Sequence, residues 1–218
     1  MKLNLTPDEV LTTTRSVRLR LDVGRPVSRE LIEECLEIAF QAPNGSNLNT
    51  WRWVVVDDRN LVRKLADIYN AGMEDEIKRL STNTARAEAR RSIPRGENMR
   101  LSVEALRHKM AQMPALVVPL MAGRPEAMDA FEQASAWGSI LQAVWSLFLA
   151  LRIRGLGSAW TTVSIHREKD VADLLGIPMD QYTQAGLFPV AYTVGAQFKP
   201  GWRKPAAEVV SFNRFERR

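Results

Sequence analysis

From residue 125 to about 154 the chain carries an almost unbroken apolar pattern, with Phe131, Trp137, Leu141, Trp145, Phe148 and Leu149 at helical spacing. A helix that apolar on several faces has to be covered on several sides, because every exposed apolar side chain forgoes favourable burial. It is therefore the central helix of a domain, a seam between two copies of the chain, or both, and the reading adopted is both. Ala134, Ser135, Ala136, Gly138 and Ser139 cluster in its first half, a small-residue patch that lets another backbone come close.

The rest of the chain supplies what such a helix packs against. Thr6-Pro7-Asp8-Glu9 is a helix start with Thr6 as N-cap, and Ser28 caps a second helix that ends near Gln41. Residues 53–56 read as a buried strand, a further helix begins at Asn60 with Leu61, Leu65, Ile68 and Tyr69 on one face, and Leu101, Ala105, Leu106 and Met110 mark another. Residues 114–122 are a strong strand signal, with Pro119 placing that strand nearer an edge or a bend. Gly155 closes the long helix, a helix follows over 166–175, and residues 187–195 form the last core strand. Helices and strands in this mixture, within 218 residues and 45% apolar composition, predict a single domain with a sizeable core.

Several function classes are disfavoured. No run of about eighteen uncharged apolar residues is present and the N-terminus lacks the order of a signal peptide, so a cytoplasmic protein with no membrane partner is expected. The lone cysteine, Cys35, lies on an apolar helix face as a buried thiol, and the two histidines, His108 and His166, stand far apart, so no metal site is expected. The net charge of +5 arises largely between Lys78 and Lys109, where Arg79, Arg86, Arg90, Arg91, Arg95, Arg100 and Arg107 outnumber the acids. That block has no aromatic residue to stack a base, which disfavours nucleic acid. It reads as a solvated helical insertion of about residues 74–100, or as the lining of an entrance for anionic cofactors.

Two polar stretches remain. Ala42-Pro43-Asn44-Gly45-Ser46-Asn47-Leu48-Asn49-Thr50-Trp51 is a turn between helix and strand that exposes backbone N–H groups and small amides, suiting the polar edge of a flat heterocycle or simply connecting two elements. Arg15-Ser16-Val17-Arg18-Leu19-Arg20 places cations around a hydroxyl, the surroundings a phosphate needs. Gly155-Leu156-Gly157-Ser158-Ala159-Trp160 is neither a dinucleotide fingerprint, since its sixth position is Trp160, nor a nucleophile elbow.

These segments, with Arg203-Lys204-Pro205 and Glu208-Val209-Val210 near the end, together resemble the nitroreductase family of flavoproteins over nearly the whole chain and in the right order. The resemblance implies an α+β fold with a central, mostly antiparallel sheet flanked by helices. It implies a homodimer whose C-terminal tails, from about 196 to 218, are swapped around the partner, with flavin mononucleotide (FMN) at the interface. By position, Arg15, Ser16 and Arg18 would hold the phosphate, ribityl chain and pyrimidine edge, joined at the phosphate by Arg203 and Lys204. Pro43, Asn44, Gly45 and Asn47 of the other subunit would border the ring, Ser158, Trp160, Thr161 and Thr162 would lie near its N5 atom, and Lys109 would stand at the pyrimidine end. Trp51 and Trp160 would pack beside the ring or in the core.

Three positions depart from the family pattern: Thr14 stands where relatives carry a basic residue, Asn49-Thr50 where they carry Gln-Pro, and Ala159 where cysteine is frequent. The implied activity is hydride transfer from NADH or NADPH, written NAD(P)H, to a small-molecule electron acceptor that is flat, such as a nitroaromatic, quinone or enone. The flavin carries the chemistry, so no catalytic side chain is named. Alternatives are a flavin-binding protein without turnover and, less favoured, a polyanion-binding scaffold.

Overall fold

The computed structural model describes residues 2–83, 88 and 96–216. Helix α1 (Pro7–Thr13) opens on the expected cap: Thr6 Oγ1 accepts the Glu9 N–H at 3.2 Å while the Glu9 carboxylate accepts the Thr6 N–H at 2.8 Å. The chain then runs through β1 (Leu21–Asp22), α2 (Arg29–Ala39), β2 (Arg52–Val56) and α3 (Arg59–Thr82). After α4 (Gly96–Lys109) come β3 (Ala115–Ala122), α5 (Ala130–Ile153) and β4 (Leu156–Ser158). The described chain closes with α6 (Glu168–Leu175), β5 (Tyr182–Gln184), β6 (Phe188–Thr193) and the short α7 (Ala206–Val209). Every helix start that has a side-chain cap uses Thr, Ser or Asp, and Gly176 ends α6 at φ 68, where a side chain would be strained.

All strand pairings are antiparallel, in the order β1-β6-β3-β2 with β4 added to β6 and β5 to β3. Strand β3 is the axis of this sheet. Its alternation divides the core: Leu116, Val118 and Leu120 face Val62, Leu65 and Tyr69 of α3, whereas Ala115 and Val117 face Ile32 and Cys35 of α2 with Leu147 and Leu151 of α5. Burial pushes the Cys35 thiol up to about 11, so it stays protonated and inert at neutral pH.

Pro119 overturns its sequence expectation. It sits in the middle of this central strand, opposite Trp53 of β2, not at an edge. Its carbonyl accepts the Ala185 N–H at 2.9 Å, and a strand residue's N–H and C=O point to the same side. Its missing donor therefore faces the break between β5 and β6, where no ladder bond is lost.

Helix α5 divides at about Ile140. The second half is the spine of the core, with Ile140, Ala143, Val144, Leu147, Phe148 and Leu151 buried, and the first half leaves Phe131 81% exposed. By length and composition alone α5 is the one candidate membrane span among the described residues, yet its second half is enclosed by α2 and the sheet. Helix α3 continues to Thr82, so residues 74–82 of the expected insertion are its last turns, with Glu76 buried against His166 Nε2 at 3.1 Å and Arg79 Nε at 2.9 Å. Arg86, Arg90, Arg91 and Arg95 lie outside the described residues.

Candidate active site

The two ends of the sequence meet in one cleft. Beyond α1, residues 14–20 run along β4, with the Val17 N–H donating to the Ser158 carbonyl at 2.8 Å. The chain leaving β6 folds back over them. Between these segments is a cleft of about 1230 Å³ whose lining includes Arg15, Ser16, Arg18 and Arg20 on one side and Lys199, Trp202 and Arg203 on the other. Asn98, Met99 and Ser102 of α4 and Trp145 of α5 complete it. Among the described lining residues there are five cations and no carboxylate.

Arg18 is the cation set deepest among the positions named for the phosphate. It is half-buried and has no ion-pair partner among the described residues. Burial pulls its pKa below the ordinary arginine value, Tyr69 opposes that shift, and nearby Arg15 adds to it. Tyr69, buried beside it, is pushed up to about 12. Arg15 Nη1 donates to the Lys199 carbonyl at 3.3 Å, and Arg203 Nη1 donates to the Trp202 carbonyl at 2.7 Å, so both retain unused guanidinium donors. Ser16 Oγ accepts the Trp160 N–H at 2.9 Å, tying this segment to the chain beyond β4.

The turn after α2 is built separately. The Gly45 N–H donates to Ser139 Oγ at 2.8 Å, and Ser139 Oγ donates to the Ser135 carbonyl at 2.7 Å. A Cβ on Gly45 would collide with Ser135 Oγ, so the small-residue patch of α5 receives a backbone of its own chain. Ser46, Asn47 and Asn49 take φ of 52°, 53° and 52°, a left-handed region uncommon for residues with side chains. Asn49 secures this shape: its N–H donates to Asn44 Oδ1 at 3.0 Å and its Nδ2 to the Asn47 carbonyl at 2.8 Å. The departure at position 49 thus gives the loop its own lock.

Of the positions singled out in the sequence, Arg15, Ser16, Arg18 and Arg203 share the cleft, and Pro43 lines a second hollow with Gly138 and Leu141. Trp145 borders both. Asn44, Gly45, Asn47, Ser158, Trp160, Thr161, Thr162, Lys109 and Lys204 are not in the cleft's lining. Lys109 Nζ donates to the carbonyls of Leu19 and Leu21 at 2.8 and 3.2 Å, bracing the segment beyond Arg18. Ser158 is buried with no side-chain partner among the described residues, Thr161 bonds the Leu187 carbonyl, and Thr162 and Lys204 are exposed. Trp160 packs against Phe148 and Phe188, with centroids 5.9 and 5.3 Å away, and Trp51 is buried against Phe40, so both belong to aromatic core clusters. Sequence reasoning did not assign Asn98, Met99, Ser102, Trp145 or Phe198 to the site, since none lies in a motif.

The nitroreductase family model matches residues 11–192. This chain belongs to the nitroreductase family. The matched region ends before Arg203 and Lys204. An Archaeoglobus fulgidus relative named as an NADH dehydrogenase/NAD(P)H nitroreductase is 26% identical over 172 residues, 78% of this chain and 76% of that one. Among solved structures, a BluB-like flavoprotein from Clostridium difficile 630 superposes with a TM-score of 0.70 at 19% identity, covering 97% of this chain and 100% of its own. An FMN- and NADPH-dependent nitroreductase, NfnB, from Sphigopyxis sp. strain HMH gives 0.68 at 21% identity, with 97% and 100% covered. At these identities the structural likeness establishes the nitroreductase-like α+β fold.

Proposed function

We propose that the protein is an FMN-dependent oxidoreductase that takes hydride from NADH or NADPH and passes it to a small, flat acceptor such as a nitroaromatic, quinone or enone. The observation that carries this reading is the cleft in which cations from both ends of the chain face one another with no described carboxylate among them. A phosphate monoester carries a charge of about −1.5 to −2 at neutral pH and accepts several charge-assisted hydrogen bonds, which Arg15, Arg18 and Arg203 would donate. A half-buried guanidinium without a partner is costly unless a ligand supplies one, and Arg18 has none among the described residues.

Bound FMN would supply the ring that accepts and releases hydride. The chain's part is to hold it. Arg15, Arg18 and Arg203 anchor its charged end, Ser16 keeps residues 14–20 against the sheet through the Trp160 N–H, and the locked turn at residues 43–49 presents a preformed polar edge. We assign that edge to the ring bound by a second copy of the chain. Support for a homodimer comes from apolar side chains left largely exposed in one copy: Trp202, Val209, Phe212 and Phe215 of the tail are 58, 61, 79 and 86% exposed. Gly138 of α5 has open space above it as well.

The test is the visible spectrum of the purified protein followed by anaerobic stopped-flow mixing with each nicotinamide. A yellow protein that bleaches with NADH or NADPH and recovers with a quinone or nitroaromatic is expected. A yellow protein that bleaches with neither would be a flavin-sequestering protein, and a colourless one that takes up no FMN would end the proposal.

A further inference from the structure

We propose that Phe198 is a positioning residue for the phosphate end of the cleft: it fixes the root of the C-terminal tail and so sets where Arg203 stands. This rests on the flavin reading above and adds a role for a residue that no motif marks.

Two guanidiniums converge on this one ring. Arg20 lies over it with Cζ 4.1 Å from the centroid, and Arg152 of α5 does so at 4.9 Å. Arg152 is only 5% exposed, and no described carboxylate pairs with it. Its Nη1 is buried without a partner among the described residues, and its Nε and Nη2 reach only Thr13 Oγ1, at 3.4 and 3.3 Å. Burial depresses its pKa and the neighbouring Arg20 adds to that, while the Glu9 carboxylate opposes it. The electron-rich face of Phe198 is thus one compensation that the two like charges share, beside the backbone carbonyls bound by Arg20 and the Glu9 carboxylate near Arg152.

Arg20 also binds the backbone leading up to the ring, and Arg15 binds it just beyond. Arg20 Nε donates to the Val194 carbonyl and Nη1 to the Gln197 carbonyl, both at 2.7 Å, while Arg15 Nη1 reaches the Lys199 carbonyl. Gly195 turns the chain at φ 74°, and a Cβ there would come within 2.7 Å of Arg20 Nη2, so the bend fits the guanidinium closely. The tail therefore leaves the body from a fixed point, and Phe198 and Arg203 line the same cleft.

The test compares two probes on the full-length protein, FMN and riboflavin, which differ only by the phosphate, using titrations of flavin fluorescence. Phe198→Leu keeps apolar volume but removes the aromatic face. It is expected to weaken FMN about tenfold, the loss of one charge-assisted contact, while riboflavin stays within about twofold. Phe198→Tyr should restore FMN binding. In the background of Arg203→Ala, Phe198→Leu should add nothing, because both act on one contact. Equal weakening of both flavins, or unchanged FMN affinity, would overturn the positioning role. Wild-type protein that binds neither flavin would instead overturn the functional reading itself.

Discussion

Two sets of arginines in this molecule have opposite surroundings. Away from the cleft several are paired with carboxylates: Arg124 with Glu168 and Glu126, each at 2.9 Å, Arg167 with Asp75 at 2.6 Å, Arg29 with Asp57 at 2.5 Å, and Arg154 with Glu34. Around the cleft, Arg15, Arg18 and Arg203 have backbone carbonyls or nothing among the described residues. The first set neutralises itself and serves the fold. The second, on the proposed reading, keeps its charge for a ligand, and although the chain has 25 acidic residues, no described carboxylate lines the cleft.

The sharpest way to break this contrast is Arg18→Ala. It should raise the dissociation constant for FMN by about 100-fold, the upper range for losing a charge-assisted bond to a dianion. The fold should not suffer, because the substitution removes an unpaired, half-buried cation; urea unfolding of the flavin-free protein should show an unchanged or higher midpoint. A variant that keeps full affinity would move the phosphate elsewhere.

Glu168→Ala probes the other set. Its carboxylate accepts Arg124 Nη1 at 2.9 Å, Arg124 Nη2 at 3.1 Å and the Gln184 N–H at 3.1 Å, so its loss strands partly buried donors. We expect a loss of about 1–3 kcal/mol in unfolding free energy with FMN affinity unchanged. A large effect on FMN binding would erase the division between the two sets.

Stability against pH should follow the paired set and the buried acids. Asp57 is held below the ordinary carboxylate range by its hydrogen bond to Arg29, and Glu34 by its bond to Arg154. Their contribution is present above the unfolded values and disappears as pH falls through the lowered folded ones. Cys35, raised from 9.0 to about 11, and Tyr69, raised from 10.0 to about 12, act on the alkaline side, with stability full below the unfolded values and lost as pH rises through the folded ones. Urea midpoints measured across this range should show a plateau between the two limbs. A still smaller effect is expected from salt: raising it from about 0.05 to 0.5 M should weaken FMN a few-fold while moving the urea midpoint little, since partly buried pairs are screened less than a cleft open to solvent.

Much of this fold was legible in advance because its signals are local. A hydroxyl or carboxylate followed by acids marks a helix start wherever it occurs, as at Thr6, and the apolar runs at 53–56 and 114–122 become strands because β-branched and apolar side chains fit a buried sheet. The two-residue β1 and three-residue β5 were not foreseen, since pairs that short exist only because β6 and β3 are already in place. Pro119 was misjudged for the same reason: whether its absent N–H matters depends on what lies beside it, and a gap between two other strands does.

The site was legible in part. Arg15, Ser16 and Arg18 drew attention as a cluster, but nothing local distinguishes Arg18 from Arg124, whose partner Glu168 lies 44 residues further on. The small residues of α5 promised a close backbone approach, and only the folded chain shows that Gly45 makes one while Gly138 stays open. Where elements begin, which faces are apolar and which family the chain belongs to were determined by the order of residues, because those properties act over a few positions or are carried in linear motifs. Which arginines remain unpaired, and that opposite ends of the chain converge on one cleft, was decided by tertiary structure, because charge compensation depends on distance in space.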